Sequence, residues 1–427
     1  MKKIKLSQRA KHAILIGGLC SVSYLAVYIA RNVLGAVSPK MELDGFSTAD
    51  ITTMGSAFFF SYGIGQLING IIGDKIKARY MISFGLLFAG ITNILFAIFA
   101  ASPVAALVSY IGTGFFLAMI YGPMTKVVSE NTDPIHATRC SLGYTFASFM
   151  GSPMAGILAT VFSWKNTFLA SSIALIAMAV IVFCAFILLE KKGIVKYGQY
   201  KRDKKSGGSI KVLIKHNIIK FAIIAILTGV IRTSVVQLLT LYFKQYLGFS
   251  ESDAPLIYSA ATLVMASTTF ISIFVYERLK RNMNLTMLIM FAVSTVFFFG
   301  VFLVKHTVIN IIFIVIAIMA SNGAATMLWS RYCPSLYETG MVSSATGFLD
   351  FLSYMSAAVA NVLFGRAIDG FELFGHKFDG IGWKNLILVW FGIVLLGLIV
   401  SLPYDKIFRG KKGADGKAEL EKTFKTN

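Results

Sequence analysis

The sequence predicts an all-α membrane protein in which twelve transmembrane helices form two pseudo-symmetric bundles of six. Of its 427 residues, 56% are hydrophobic and only 14% are charged, and the mean hydropathy is +0.73. A water-soluble domain of this size has too little interior to bury that much apolar surface. The apolar residues also fall into twelve runs of about 20 residues, the length that crosses a bilayer as a helix. The last six runs repeat motifs of the first six, which indicates two related halves.

The twelve runs are joined by mostly short connections, with one long exception at residues 190–217. This stretch is basic and contains Gly and Ser without an apolar period, so we expect a cytoplasmic linker. Residues 1–189 then form the first bundle, 218–405 the second, and 406–427 a cytoplasmic tail. The predicted spans lie near residues 13–37, 51–73, 81–101, 104–127, 140–163, 167–189, 219–243, 254–276, 285–304, 307–330, 343–368 and 386–404.

The formal net charge of +20 follows this predicted topology. With the N-terminus in the cytoplasm, most of the 40 Lys and Arg residues fall in segments on the inner side. This positive-inside asymmetry predicts that both termini are cytoplasmic and that the chain lies in the inner or plasma membrane. An anionic leaflet accounts for the basic excess, so we expect a lipid bilayer rather than a nucleic acid as the partner.

Short motifs recur in the two halves in the same order. Gly45-Phe46-Ser47 precedes the second run, and Gly248-Phe249-Ser250 precedes the eighth, an offset of 203 residues. The other repeated pairs are Asp50 with Asp253, Asp74-Lys75 with Glu277-Arg278, and Trp164-Lys165-Asn166 with Trp383-Lys384-Asn385. Two parallel six-helix repeats predict a carrier whose binding site lies at the midplane, between the halves.

Two arginines interrupt otherwise uncharged runs, Arg31 in the first and Arg232 in the seventh. A guanidinium stays charged at any accessible pH, and placing one inside a span costs roughly 2.5–3.5 kcal/mol on insertion scales. The residues stand at nearly corresponding places of the two halves, and the first half has no acidic residue at that depth. We therefore predict that both side chains face a central cavity and bind an anion there.

Other polar residues recur at helical spacing, which places them on one face of their helix. Helix faces that line a wet cavity need such residues, whereas faces exposed to lipid do not. A second interpretation is that they tie neighbouring helices together by hydrogen bonds. The predicted cavity residues, besides the two arginines, are Tyr24, Tyr28 and Asn32 in run one, Tyr62, Gln66 and Asn69 in run two, Tyr144, Ser148 and Ser152 in run five, Thr228 in run seven, and Asp350 in run eleven.

The end of the second run carries a motif that predicts a gate. Residues 70–79 read Gly-Ile-Ile-Gly-Asp-Lys-Ile-Lys-Ala-Arg and resemble the G-x-x-x-D-[RK]-x-G-x-[RK] signature of the major facilitator superfamily, with Lys77 replacing the second glycine. An aspartate there can cap a helix or pair with nearby cations, and these contacts break when that side opens. The predicted gating residues are Gly70, Asp74, Lys75 and Arg79.

Several segments are similar to the organophosphate:phosphate antiporters, the glycerol-3-phosphate and hexose-phosphate transporters of that superfamily. They are residues 28–32 (Tyr-Ile-Ala-Arg-Asn), 45–47 (Gly-Phe-Ser), 61–63 (Ser-Tyr-Gly), 231–233 (Ile-Arg-Thr), the Gly70-x-x-x-Asp74-Lys75 motif, and the stretch from Gly347-Phe348 to Ile368-Asp369. The resemblance implies that Arg31 and Arg232 bind the substrate phosphate. Gln66 and Ser148 stand where the glycerol-3-phosphate type has a lysine and a histidine. The positive field of this site is therefore smaller.

We expect a secondary active transporter that moves an organophosphate in exchange for phosphate by alternating access. One alternative is a carrier for a carboxylate or another organic anion, coupled to protons through Asp350, which would pair with an arginine and release it when protonated. Another is a membrane sensor of sugar phosphate built on the transporter fold, with residues 190–217 docking a partner. The chain shows no nucleophile–base set, phosphate loop or metal cluster, so we expect no enzyme activity, cofactor or metal. We expect a monomer whose partners are a small anionic substrate and either inorganic phosphate or a proton as the coupling species.

Overall fold

The structure is a computed structural model that describes residues 7–73, 76–100, 102–197, 214, 216–336, 342–373 and 376–402. Twelve long helices lie within these residues, in agreement with the predicted fold class. They are α1 Gln8–Leu43, α2 Thr48–Gly73, α3 Ala78–Ile98, α4 Pro103–Leu117 with Tyr121–Asn131, α5 Pro134–Val161, α6 Trp164–Lys191, α7 Ile218–Tyr246, α8 Asp253–Arg278, α9 Met283–Leu303, α10 Thr307–Tyr332, α11 Val342–Asp369 and α12 Gly382–Ser401. A hairpin of two short strands, β1 Phe371–Leu373 and β2 His376–Phe378, joins α11 to α12.

Ten of these helices are, within the described residues, long and apolar enough to cross a membrane. The two others are α2 and α5, which carry many of the predicted cavity residues. A helix that lines a wet cavity exchanges apolar residues for polar ones and so loses hydropathy. The chain is therefore a multi-pass membrane protein whose least apolar helices lie next to its interior.

The ends of several helices differ from the predicted ones. Helix α1 continues to Leu43 rather than residue 37 and α6 continues to Lys191 rather than 189, whereas α12 ends at Ser401, before the predicted residue 404. The last turn of α1 is polar but well bonded, since Lys40 Nζ donates to the Phe162 carbonyl at 2.8 Å. A prediction from hydropathy detects only the apolar part of a helix, so it misses helix ends that are polar. The central part of the predicted linker and the predicted tail lie outside the described residues.

The predicted repeat is visible in the hydrogen bonds that begin α2 and α8. Gly45 and Gly248 both have positive φ, +91° and +79°, which L side chains rarely adopt. Ser47 Oγ donates to Asp50 Oδ2 at 2.7 Å, and Asp50 N donates back to Ser47 Oγ at 3.0 Å. Ser250 and Asp253 exchange the same two bonds at 2.7 and 3.0 Å. The matching motifs of the two halves thus form matching helix starts.

The halves meet at the end of the bundle where α1, α5, α7 and α11 finish, here called the far end. The opposite end, where α1 begins and α12 finishes, is called the terminus end. Contacts between the halves run along the far parts of α1 with α7, α2 with α11, and α5 with α8. We call this contact surface the seam. It includes the Ser38–Thr240 hydroxyl pair at 2.8 Å, the Lys244–Glu42 ion pair at 3.0 Å, and the bond from Ala49 N to Asp369 Oδ2 at 2.7 Å.

Candidate substrate-binding site

A cavity of about 390 Å³ lies between the two halves, on the terminus side of the seam. It is lined by α1, α2, α4 and α5 of the first half and by α7, α8, α10 and α11 of the second. Nine of the eleven predicted substrate-binding residues line it. They are Tyr24, Tyr28, Arg31, Asn32, Tyr62, Gln66, Ser148, Arg232 and Asp350. The structure thus brings these side chains together, and their binding role stays a prediction.

Arg31 lies in a regular turn of α1, surrounded by aromatic rings. Its guanidinium carbon is 4.9–5.6 Å from the ring centroids of Tyr28, Phe59, Tyr62 and Tyr354. Arg31 Nη1 donates to Tyr354 Oη at 2.9 Å, a bond that joins α1 to α11 across the two halves. Stacked rings favour a cation and hold the planar guanidinium in one orientation. Arg31 is therefore positioned before any ligand arrives.

Arg232 has different surroundings. It lies in a π-helical segment of α7, Val230–Val235, and its guanidinium carbon is 5.9 Å from the ring centroid of Trp329 on α10. Its Nη2 atom is buried and has no hydrogen-bond partner among the described residues. Thr233 Oγ1 and Asn322 Oδ1, which belong to two other lining residues, are also buried without a partner. A buried polar group without a partner is unfavourable by about 1–3 kcal/mol, so this wall favours a ligand that supplies partners.

Asp350 of α11 is the one carboxylate among the lining residues, all of which the structure describes. It interacts electrostatically with Arg232 and, more weakly, with Arg31. Within the described ranges, no carboxylate oxygen lies within 4.0 Å of either guanidinium. Neither arginine is therefore neutralised by a direct ion pair. Two guanidinium groups and one carboxylate give the cavity wall a formal charge of +1.

Three predicted cavity residues are not among the lining residues, which corrects the prediction. Tyr144 is 4% exposed and lies behind Tyr24, with ring centroids 6.2 Å apart. Thr228 is 2% exposed, and its hydroxyl donates to the Ile224 carbonyl of its own helix at 2.7 Å. Asn69 is also 2% exposed and directs its amide toward the Phe115 carbonyl of α4. All three are bonded or packed within one half, but only the Asn69 amide reaches a neighbouring helix by a hydrogen bond, as the helix-tying interpretation expects.

Sequence reasoning missed a polar stripe on α10. Asn322, Thr326, Trp329 and Ser330 have the same spacing as Tyr24, Tyr28, Arg31 and Asn32 of α1, and all eight residues line the cavity. The helical period that identified the α1 stripe therefore also marks this one. Tyr354 stands four residues after Asp350, so it shares a helix face with a residue that was identified.

Only some of the predicted gating residues lie in the part of the chain that the structure describes. Gly70 lies in the last turn of α2, and Asp74 and Lys75 lie outside the described residues. Arg79 begins α3 and makes an ion pair with Glu190 at the end of α6, at 2.8 Å. Tyr197 Oη donates to the other oxygen of Glu190 at 2.8 Å. Burial and this bond raise the pKa of the Tyr197 hydroxyl, so it remains protonated and keeps donating. Arg79 thus joins α3 to α6 within the first half.

The described residues contain no group of three or more His, Cys, Asp or Glu side chains that could hold a metal ion. The four cysteines, Cys20, Cys140, Cys184 and Cys333, are free thiols. The functional groups that line the cavity are two guanidinium groups, aromatic rings, hydroxyls, amides and one carboxylate. Such a wall is suited to binding a polar anion.

A two-bundle helical membrane protein with a central polar cavity has the architecture of a secondary transporter. Residues 20–361 match the family model described as Major Facilitator Superfamily, and the chain belongs to this superfamily. Among solved structures, a bacterial homolog to the human lysosomal transporter Spinster has a TM-score of 0.75 at 12% identity, covering 93% of this chain and 97% of its own. The D-xylose-proton symporter has a TM-score of 0.66 at 13% identity, with coverages of 92% and 96%. At such identities the similarity concerns the fold alone.

Curated relatives point to the organophosphate group of this superfamily. A probable hexose phosphate transport protein from Chlamydia pneumoniae is 34% identical over 76 residues, 18% of this chain. The membrane sensor protein UhpC of Escherichia coli strain K12 is 33% identical over 96 residues, 22% of this chain. The glycerol-3-phosphate transporter of Bacillus subtilis strain 168 is 22% identical over 195 residues, 43% of this chain. The matches span 17%, 22% and 43% of these relatives' own length.

Proposed function

We propose that this protein is a secondary active transporter that exchanges an organophosphate, such as a sugar phosphate, for inorganic phosphate. The observation that carries the proposal is the placement of Arg31 and Arg232. They come from different halves, line one cavity, and have no carboxylate of a described residue within 4.0 Å. Two cations in a low-dielectric cavity repel each other, and an anion with several oxygens replaces that repulsion with charge-assisted hydrogen bonds. The relatives named for hexose phosphate and glycerol 3-phosphate support phosphate as the anionic group.

The arrangement supports a mechanism of alternating access. With both termini in the cytoplasm, the seam closes the outer side and the cavity lies toward the cytoplasm. An anion that binds both arginines draws the halves together on the inner side and thereby stabilises the loaded carrier more than the empty one. Only such differential affinity allows a ligand to drive the transition. An empty carrier crosses slowly, so one anion leaves as another enters.

Arginine-to-lysine substitution tests this proposal. Arg31→Lys and Arg232→Lys each keep the charge and lose the planar fork that binds two phosphate oxygens at once. We expect each to lower phosphate-driven exchange of a sugar phosphate in proteoliposomes at least about tenfold, since a charge-assisted bond contributes about 1.5–3 kcal/mol. Arg331→Lys is the matched control, because Arg331 lies on α10 outside the cavity and packs on Tyr276.

Near-normal exchange by both variants would contradict the proposed role of the arginines. Uptake driven by an imposed pH gradient, without competition by inorganic phosphate, would instead favour the proton-coupled carrier of a carboxylate. The match to a membrane sensor gives a further candidate function, a receptor for sugar phosphate on the same fold. Binding of sugar phosphate to purified protein without any flux in vesicles would favour that receptor.

A further inference from the structure

The two walls of the cavity differ in chemistry. The first-half wall combines Arg31 with tyrosine rings. The second-half wall combines Arg232 with hydrogen-bond acceptors, of which the Asp350 carboxylate and Asn322 Oδ1 are the strongest. Asp350 lies on α11 and Asn322 on α10, and both helices pack against the π-helical segment that holds Arg232. One part of the site is therefore suited to an anion and an adjacent part to a donor.

The acceptors of this wall lack hydrogen-bond donors among the described residues. Asn322 Oδ1 is buried without a hydrogen-bond partner. Asp350 lines the cavity and makes no hydrogen bond or ion pair to any described residue. A carboxylate at this depth is unfavourable unless a cation or several donors face it. Arg232 acts on Asp350 only from beyond 4.0 Å, and no side chain of the described residues donates a hydrogen bond to its carboxylate. A donor on a bound substrate would therefore supply the hydrogen bonds that these residues leave unmade.

Charge balance identifies the kind of donor. The cavity wall has a formal charge of +1, and a phosphate ester carries about −1.5 to −2 near pH 7. A simple sugar phosphate would therefore leave the loaded site with a net negative charge of up to about −1. An ammonium group on the same molecule brings the loaded site to near neutrality, the favourable state in a low-dielectric interior.

We propose that the preferred substrates are phosphate esters that carry an ammonium group, such as amino-sugar phosphates. The phosphate binds Arg31 and Arg232, and the ammonium donates to Asp350 with Asn322 Oδ1 beside it. This inference rests on the proposed function, because it assigns the substrate class of the same site. It gives Asp350 a role in selecting the substrate rather than in carrying a proton.

The test compares matched ligands by isothermal titration of the full-length purified protein. Glucosamine 6-phosphate differs from glucose 6-phosphate by an ammonium in place of one hydroxyl, and phosphoethanolamine differs from 2-hydroxyethyl phosphate in the same way. We expect the wild type to bind the amino member of at least one pair about tenfold more tightly, as one charged hydrogen bond provides. In Asp350→Asn the ratio of the two affinities falls to near one. Asp253→Asn, at the start of α8 outside the cavity, keeps the wild-type ratio.

The outcomes separate this inference from the function on which it rests. If the wild type binds the phosphate esters but shows no preference within either pair, the substrate class is wrong and the phosphate carrier stands. If the preference persists in Asp350→Asn, the assignment to Asp350 is wrong. If no phosphate ester binds and a carboxylate does, the proposed function fails, and this inference fails with it.

Discussion

Arg31 and Arg232 have the same charge but are prepared for a ligand in different ways. Arg31 is stacked among rings and bonded to Tyr354, so its guanidinium loses little freedom when an anion binds. Within the part of the chain that the structure describes, Arg232 has one ring beside it and a buried Nη2 atom without a hydrogen-bond partner. A ligand oxygen would satisfy that atom and so gain the full value of a charge-assisted bond. In the proposed site the first arginine would contribute preorganisation, and the second would contribute unused bonding capacity.

The hydroxyl of Tyr354 is the part of this preorganisation that can be removed alone. Tyr354→Phe keeps the ring against Arg31 and Tyr62 and deletes the acceptor of the 2.9 Å bond. Because Arg31 is then oriented by stacking only, we expect substrate affinity to fall about tenfold, corresponding to roughly 1.5 kcal/mol for a hydrogen bond to a charged group. Isothermal titration measures the change. Tyr246→Phe, at the far end of α7, is the control, and equal affinities of both variants would contradict this role.

The residue scale also shows where sequence reasoning reaches its limit. Helical spacing places Tyr144 and Thr228 on polar stripes, but a stripe has a width, and spacing alone does not tell which member reaches the cavity. Thr228 illustrates the reason. A threonine hydroxyl can bond the carbonyl four residues earlier in its own helix, and it then needs neither water nor a ligand. The arginines could be predicted because no such internal partner exists for a charge within a span.

At the scale of helices, the sequence predicts all twelve spans but not the form of α7. Arg31 stands fourteen residues before Gly45, whereas Arg232 stands sixteen residues before Gly248. Helix α7 contains two π-helical segments, Val230–Val235 and Tyr242–Tyr246, and α1 is α-helical throughout. A π turn holds one more residue than an α turn, so two such segments absorb the two additional residues. Apolar length does not distinguish these forms.

A single glycine allows α11 to approach α2 closely at the seam. A methyl group on Gly365 would overlap Thr52 Oγ1 and lie 3.1 Å from the Ala49 Cα atom. We expect Gly365→Ala to destabilise the closed seam by about 1–3 kcal/mol, the usual effect of overpacking. Distances between spin labels at Thr53→Cys and Ser252→Cys, in a background without other cysteines, report the shift toward a more open far end.

The matched control for this substitution lies on the same helix. A methyl group on Gly347 meets nothing within 4 Å, so Gly347→Ala should keep the wild-type distance distribution. An unchanged distribution in Gly365→Ala would mean that the halves do not close through this contact. A shift in both variants would point to a general effect of alanine in α11.

For the whole molecule, composition and charge patterning define the membrane class, and the repeated motifs define two halves. What they do not define is which ends of the halves touch, because both ends carry polar residues at the helix termini. In the structure, Glu42 of α1 accepts from Lys244 and Gln245 of α7, and Gln245 also accepts from the Trp383 indole at 2.7 Å. This network ties the two halves across the far end.

Weakening this network should shift the balance between the closed and open far end. In Glu42→Gln the partly buried ion pair with Lys244 is lost. We expect this to destabilise the closed far end relative to the open one by about 1 kcal/mol, which is about a fivefold change in the ratio of the two states. The same pair of spin labels measures it. Asp379→Asn, an exposed carboxylate between the hairpin and α12, is the control. High salt should reduce the difference between Glu42→Gln and the wild type, because salt screens the ion pair.

The π-helical setting of Arg232 has a consequence for how a cargo can sit between the halves. If the two halves were identical, a ligand would bind equally well in either of the two orientations that the two-fold symmetry relates. Here one guanidinium is stacked and the other is not, and the lone carboxylate stands on one side only. The cavity therefore distinguishes the two ends of a ligand, and a molecule with two chemically different ends can bind in a single orientation.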